Sequence, residues 1–298
     1  MDTKKYAVLQ KAAELGSLTR AAEELGLTQS AVSHILADLE HETGFRLMHR
    51  GRTGASLTPE GERLMPAVTR FLDAAQALRA EAAGIRGQAA GTIRIGTFTS
   101  VAVHWLPGMM KEFQKENPLA EFRLFNGDYH DIQQWLGECS VDLAFAALPV
   151  EAKCVSTPLF EDRLLAVLPL GHPLAAREVC PVQELAKESF ISLLQASAHD
   201  ALRATERAGV RLNVKYTTKD DYAIIAMVSQ GLGVSIMPEL LLEGRGDSVA
   251  VRPLDPPASR IIALAEPDPE AASPAARRFR DFAVRWVREH CASGGVRE

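Results

Sequence analysis

Residues 27–40 read Leu-Thr-Gln-Ser-Ala-Val-Ser-His-Ile-Leu-Ala-Asp-Leu-Glu, LTQSAVSHILADLE. On a helix of about 100° per residue, Val32, Ile35, Leu36 and Leu39 share one arc, the spacing of a core-facing stripe. Gln29, Ser30, Ser33, His34 and Ala37 fall on the opposite arc. A merely solvated face is normally filled with Glu, Lys and Arg. This one offers short polar groups, an amide and an imidazole, so another surface can come very close to it. Thr28 fits the N-cap position.

The stretch upstream, SLTRAAEELG (17–26), predicts a short helix with Ala21, Ala22 and Leu25 inward and Glu23 and Glu24 outward. Gly26 is suited to the residue after a helix end, and only a tight turn separates the two helices. Two short helices with a Gly-containing turn match the helix-turn-helix pattern, whose second helix lays its N-terminal residues against base edges in the major groove. Gln29 can pair with adenine, a serine with either base of a pair, and Thr28 or Ser30 with a phosphate. The bland alternative is a helical hairpin with a solvated polar face. Downstream, FRLMHRGRTGASLTPEG (45–61) weighs against it. Arg50, Arg52 and Thr53 sit on a Gly-rich tip between short strands, a wing suited to phosphates or the minor groove.

These residues carry a family resemblance. SLTRAAEELGLTQSAVSHILADLEHETGFRLMHR, followed by LTPEGERL, resembles the winged helix-turn-helix of LysR-type transcriptional regulators. By position, the resemblance implies that Thr28, Gln29, Ser30, Ser33 and His34 face DNA, with Arg50, Arg52 and Thr53 as wing. Two departures stand out. His34 occupies a place where many members carry Arg, and members often have the wing arginine one position after Arg52.

Thr58-Pro59 predicts a helix start, with Pro at the first helical position. From there to about Gly84 the chain is Ala-rich, and Leu64, Phe71, Leu78 and Ile85 recur every seven residues. Val68, Ala75 and Ala82 follow four positions after the first three, giving the a/d seam of a helix pair. Pro66, in the second turn, is expected to bend the helix more than break it. The alternative is an amphipathic helix packed on its own domain. The resemblance favours dimerisation through this segment.

After the Gly-bearing stretch GIRGQAAG (84–91), strands and helices alternate. TIRIGTF, AEFRLFNG and VDLAFAAL predict strands around the helices VHWLPGMMKEFQKENP and HDIQQWLGEC. RLLAVLPLGHPL, FISLL, RLNVKYTT and VSIMPELL predict further strands, with helices AHDALRATERAG and DDYAIIAMVSQGLG among them. SVAVRPL and RIIALAEP predict two last strands, and SPAARRFRDFAVRWVREHC a closing helix. Such alternation predicts parallel βαβ units.

This part resembles the effector region of the same family, similar in turn to type 2 periplasmic-binding proteins. The implied fold class is α/β: an all-α-rich winged helix-turn-helix, a long linker helix, and two Rossmann-like α/β subdomains around a cleft. The implied boundaries are 1–58 for the DNA-binding unit and 59–90 for linker helix and hinge. Effector subdomain I takes 91–162 plus 267–298, and subdomain II takes 163–266. Ligands of open α/β sheets bind beyond the carboxyl ends of strands and at helix N-termini. That rule selects Thr99 and Ser100, Asp128 and Tyr129, Gln195 and Ser197, and Asp221 and Tyr222. Ser100 is the first choice by family position. Asp128 argues against a strongly anionic ligand unless a cation compensates, and Asp221 has the alternative of capping its own helix.

The 298-residue chain is 47% hydrophobic with net charge −5, so bulk electrostatics do not drive it onto nucleic acid. Residues 1–58 balance seven Lys/Arg against seven Asp/Glu. Cys139, Cys154, Cys180 and Cys291 form no C-x-x-C pair, which argues against a disulfide framework or metal site. GLGV (231–234) runs from helix to strand, the wrong order for a phosphate cradle. No hydrolase, kinase or metalloprotease signature occurs, and His104, His130, His172, His199 and His290 have no sequence-visible catalytic partner. The expected protein is therefore not an enzyme. It carries no cofactor and no metal, and it is cytoplasmic, lacking a signal peptide or membrane span. Its expected partners are double-stranded DNA with two half-sites, a small-molecule effector, a second copy in a homodimer that doubles to a homotetramer, and RNA polymerase. Two other readings compete: an α/β solute-binding protein or enzyme whose N-terminal helices serve only assembly, and a constitutive DNA-binding protein with a vestigial cleft.

Overall fold

Side-chain caps set the first helices. The computed structural model describes residues 2–51, 54–85, 91–193, 199–244, 247–270 and 272–291. Helix α1 (Thr3–Leu15) starts at Asp2, α2 (Leu18–Glu24) at Ser17 and α3 (Gln29–Thr43) at Thr28, each cap side chain accepting a first-turn backbone N–H. Gly26 and Gly44 close α2 and α3 in the left-handed region. Val32, Leu36 and Leu39 are buried against Leu9, Ala12, Ala21 and Ala22 of the neighbouring helices. Strands β1 (Met48–Gly51) and β2 (Gly54–Leu57) form the antiparallel wing. The Glu40 carboxylate accepts from the Leu47 and Met48 N–H groups at 2.9 and 3.1 Å, which ties α3 to the base of the wing.

Thr58 accepts from Gly61 N–H at 3.0 Å and opens α4 (Pro59–Ile85), which continues through Pro66. Gly61 is required by close approach: a Cβ there would lie 2.3 Å from the Leu47 carbonyl oxygen. The heptad residues divide. Leu64 and Phe71 are half-buried against the N-terminal core, Phe71 edge-on to Tyr6 at 5.3 Å. Leu78 stays 72% exposed, and the side chain of Ile85 lies outside the described residues.

The α/β part begins with β3 (Gly91–Thr97), α5 (Thr99–His104), α6 (Leu106–Glu116), β4 (Ala120–Asn126), α7 (Tyr129–Gly137) and β5 (Leu143–Ala147). Strand β3 pairs in parallel with both β4 and β5, as the alternation predicts. There follow β6 (Val155–Leu168), β7 (Cys180–Pro181), α8 (Val182–Leu185), β8 (Ser189–Leu193), α9 (His199–Ala208), β9 (Asn213–Thr218), α10 (Asp221–Ser229), β10 (Ser235–Pro238), α11 (Glu239–Leu242), β11 (Ala250–Glu266) and α12 (Pro274–His290). The main sheet runs β10-β6-β11-β5-β3-β4, and β8 pairs with β9 in parallel.

VSIMPELL, read as a strand, is one only to Pro238 before α11 begins, and RLLAVLPLGHPL is one only to Leu168. Two further corrections concern the long strands. SVAVRPL and RIIALAEP are one strand, β11, with a register shift between Pro253 and Ala258. The strand expected from Arg163 starts earlier, at Val155. The reason is mutual pairing. β6 and β11 run antiparallel from Val155↔Glu266 to Leu168↔Ala250, so each supplies the other's backbone partners where local propensity alone would break. This two-stranded bridge passes between two hydrophobic clusters. One holds Ile95, Trp105, Phe145 and, from α12, Phe279; the other holds Leu168, Cys180, Leu185 and Phe190.

Candidate functional site

The polar arc of α3 is turned outward. Gln29, Ser30, His34 and Ala37 are exposed and Ser33 is half-buried, while Val32, Leu36 and Leu39 on the other arc are fully buried. Thr28 Oγ1 accepts from the Ala31 N–H at 3.2 Å and pairs with Ser30 Oγ at 3.0 Å, which fixes both hydroxyls at the exposed helix start. The wing expectation reaches only partly into the structure. Arg50 belongs to β1, but its side chain lies outside the described residues, as do Arg52 and Thr53 altogether.

The second site is a cavity of about 280 Å³ between the two clusters, at the carboxyl ends of β3 and β4. It brings together five of the residues chosen from sequence: Thr99, Ser100, Asp128, Tyr129 and Asp221. Gln195 and Ser197 fall outside the described residues. Tyr222 is a correction. It lies off the cavity wall and packs against Ile224, Val228 and their neighbours, because the next position along α10 turns about 100° away from Asp221. Asp220, not Asp221, caps α10, accepting from the Tyr222 and Ala223 N–H groups. Asp221 is thereby left to line the cavity together with Thr99. Asp128 caps α7 in a reciprocal box: its Oδ1 accepts from Asp131 N–H and Asp131 Oδ2 accepts from Asp128 N–H, both at 2.9 Å.

The centre of the site is a residue that sequence reading passed over. Arg260, on β11, is 4% exposed and donates in every direction. Its Nε and Nη2 reach Asp162 Oδ2 on β6 at 2.9 and 2.7 Å. Nη2 also donates to Ser100 Oγ at 2.8 Å, and Nη1 to Tyr129 Oη at 2.7 Å and Asp200 Oδ2 at 3.4 Å. The guanidinium lies 4.7 Å over the Phe98 ring. Tyr129 in turn donates to Asp200 Oδ2 at 2.8 Å. Ser100 and Tyr129 belong to α5 and α7, and Asp200 to α9 on the other side of the cavity. One network therefore staples the two walls.

Burial opposes charge on Arg260, but Tyr129, Asp162 and Asp200 around it outweigh that and hold its pKa above the ordinary value. Burial pushes the Tyr129 phenol and the Asp162 carboxyl up, with Arg260 pulling both partly back. Asp221 is likewise raised by burial, against the opposing pull of Thr99 and Arg260 beside it. The signal for Arg260 was a single charge set in an otherwise apolar strand run, SRIIALA, whereas Asp162 stands between Glu161 and Arg163 in FEDRLLAVL and carried no such mark. Strands buried on both faces place such a charge inside, where it must be paired.

No helix among the described residues is long and apolar enough to cross a membrane, and no group of three or more His, Cys, Asp or Glu there is arranged to hold a metal.

Residues 3–62 match the bacterial regulatory helix-turn-helix protein family of lysR type, and residues 86–288 match the LysR substrate binding domain. An uncharacterised HTH-type transcriptional regulator, YvbU of Bacillus subtilis, is 30% identical over 93% of this chain and 95% of its own. The probable regulator LrrA of Synechococcus elongatus is 33% identical over 89% and 90%. Among solved structures, a full-length OxyR variant of Pseudomonas aeruginosa superposes with TM-score 0.76 at 24% identity, covering 97% of this chain and 98% of that one, a likeness of fold. The effector binding domain of QuiR in complex with shikimate is 27% identical with TM-score 0.61, covering 67% of this chain and 99% of that one.

Proposed function

We propose, from the premise that this chain belongs to the LysR family of transcriptional regulators, how its two sites divide the work. Regulation is DNA-binding, and the chain is not an enzyme. Gln29, Ser30, Ser33 and His34 read base edges from the start of α3, Thr28 positions that start, and Arg50, Arg52 and Thr53 of the wing hold the backbone. One observation carries this reading: the helix buries Val32, Leu36 and Leu39 of its apolar arc while Gln29, Ser30 and His34 of its uncharged polar arc are exposed at a capped N-terminus. A charged face would bind any duplex; this one discriminates by hydrogen-bond match at close range.

The cavity under Arg260 takes a small-molecule effector, bound by Thr99, Ser100, Asp128, Tyr129 and Asp221, with Gln195 and Ser197 on the adjoining segment. The solved QuiR domain with shikimate supports this for the corresponding domain. Effector binding shifts the balance between wall arrangements, because a ligand that touches both walls prefers one of them. The helix α4, with Leu64, Phe71, Leu78 and Ile85, joins two copies into a homodimer, and two dimers into a homotetramer, so that two half-sites are read together. The protein acts in the cytoplasm, where RNA polymerase is a further partner. Substituting Gln29→Ala and Ser33→Ala tests the assignment. At fixed salt, affinity for the operator should fall by about 1–3 kcal/mol per lost base contact while affinity for scrambled duplex stays. Unchanged discrimination between the two duplexes would defeat it.

A further inference from the structure

The cavity is lined by four carboxylates, Asp128, Asp131, Asp200 and Asp221, against two cations, Lys219 and Arg260. Of the cations, Arg260 is already spent. Its donors go to Asp162, Ser100, Tyr129 and Asp200, so a ligand carboxylate finds no open fork there without breaking the staple. Lys219 is exposed at the mouth and makes no hydrogen bond or ion pair with the described residues. Asp128 and Asp131 are engaged in capping each other's backbone. What remains unmet lies on the acceptor side. Asp200 uses Oδ2 for Tyr129 and Arg260, while its Oδ1 is buried and has no partner among the described residues. Asp221 lines the same cavity as Asp200 and Arg260. A buried carboxylate oxygen without a donor is costly, and a ligand that donates to it recovers that cost on binding.

Resting on the reading of this cavity as the effector site, we propose that its effector carries a protonated amine, which donates to Asp200 Oδ1 and Asp221, while Lys219 at the mouth faces any anionic group at the ligand's other end. A simple dicarboxylate would meet Asp200 and Asp221 as like charges and would have to displace Asp200 from Arg260.

The test is thermal melting and operator binding of the full chain with putrescine, lysine and benzylamine, against succinate, benzoate and benzyl alcohol as size-matched acids and alcohol. The amines should raise the melting point saturably. Asp200→Asn, which keeps the shape and the Tyr129 bond, should weaken the best amine by about thirtyfold or more, the cost of removing one partner of a buried charge pair. The same variant should gain affinity for the acids. If only the acids or the alcohol stabilise the wild type, or if Asp200→Asn leaves amine affinity intact, the amine assignment is overturned while the cleft stands as an effector site. If no probe of any class shifts melting or operator binding, both readings fall together.

Discussion

Replacing Arg260 by Met removes the guanidinium and keeps most of the apolar stem. Three strong hydrogen bonds to Asp162 and Ser100 vanish, at 2.7–2.9 Å, with those to Tyr129 and Asp200. Among the described residues, Asp162, with 0% side-chain exposure, keeps only the Leu240 N–H at 3.0 Å on Oδ1. A buried ion stripped of its partner costs about 3–5 kcal/mol. For an α/β unit of this size that corresponds to a melting point lower by roughly 6–20 °C. The pH dependence has a definite sign. Burial already raises the folded-state pKa of Asp162, so its favourable contribution is full below the unfolded pKa and is lost as pH rises through the folded one. Without Arg260 that loss deepens at neutral pH, and the deficit against wild type should shrink as pH falls. The second substitution Asp162→Asn, made in the Arg260→Met background, should recover most of the deficit: it removes the charge and keeps an acceptor for Leu240. Urea unfolding followed by circular dichroism from neutral to mildly acidic pH measures all three. A neutral-pH deficit below about 1 kcal/mol, a deficit that does not vary with pH, or no recovery in the double variant would refute the reasoning, since each would mean that the staple is solvated.

Three further outcomes are expected. Gly61→Ala sets a Cβ 2.3 Å from the Leu47 carbonyl oxygen, a backbone atom that cannot swing away, and should destabilise the N-terminal unit by about 1–3 kcal/mol in urea. Glu40→Ala leaves the Leu47 and Met48 N–H groups without their acceptor, so operator affinity should drop although no DNA-facing residue has changed; wild-type affinity in a gel-shift titration would refute a positioning role. Burial, aided by Glu184, pushes the Cys180 thiol up to about 11, and burial with Glu243 pushes Cys291 up to about 11. Both should therefore react slowly with a thiol-disulfide reagent at neutral pH in the native protein, and fast labelling of Cys180 would contradict its burial.

Residues 17–61 were legible because their information is local. Caps at Ser17 and Thr28, glycines at positive φ, and a 3.6-residue stripe determine two helices and their turn within a few residues, and the polar arc follows by subtraction. The parallel units around β3 were legible for the same reason. Part of the cavity followed from a topological rule, since strand ends and helix starts are visible in a sequence: hence Ser100, Tyr129 and Asp221. Tyr222 failed because whether a side chain faces the cavity depends on a helix's rotation, which its neighbours set. The union of β11 across Pro253–Ala258, and the extension of β6 back to Val155, exist only because the two strands satisfy each other's backbone over a long antiparallel register. Arg260 meets Asp200 and Asp162 from 60 and 98 residues further along the chain. A charge inside an apolar strand announces that it needs a partner, but loop closure over that distance is invisible to local patterns, so only the folded chain chose which carboxylates answer it.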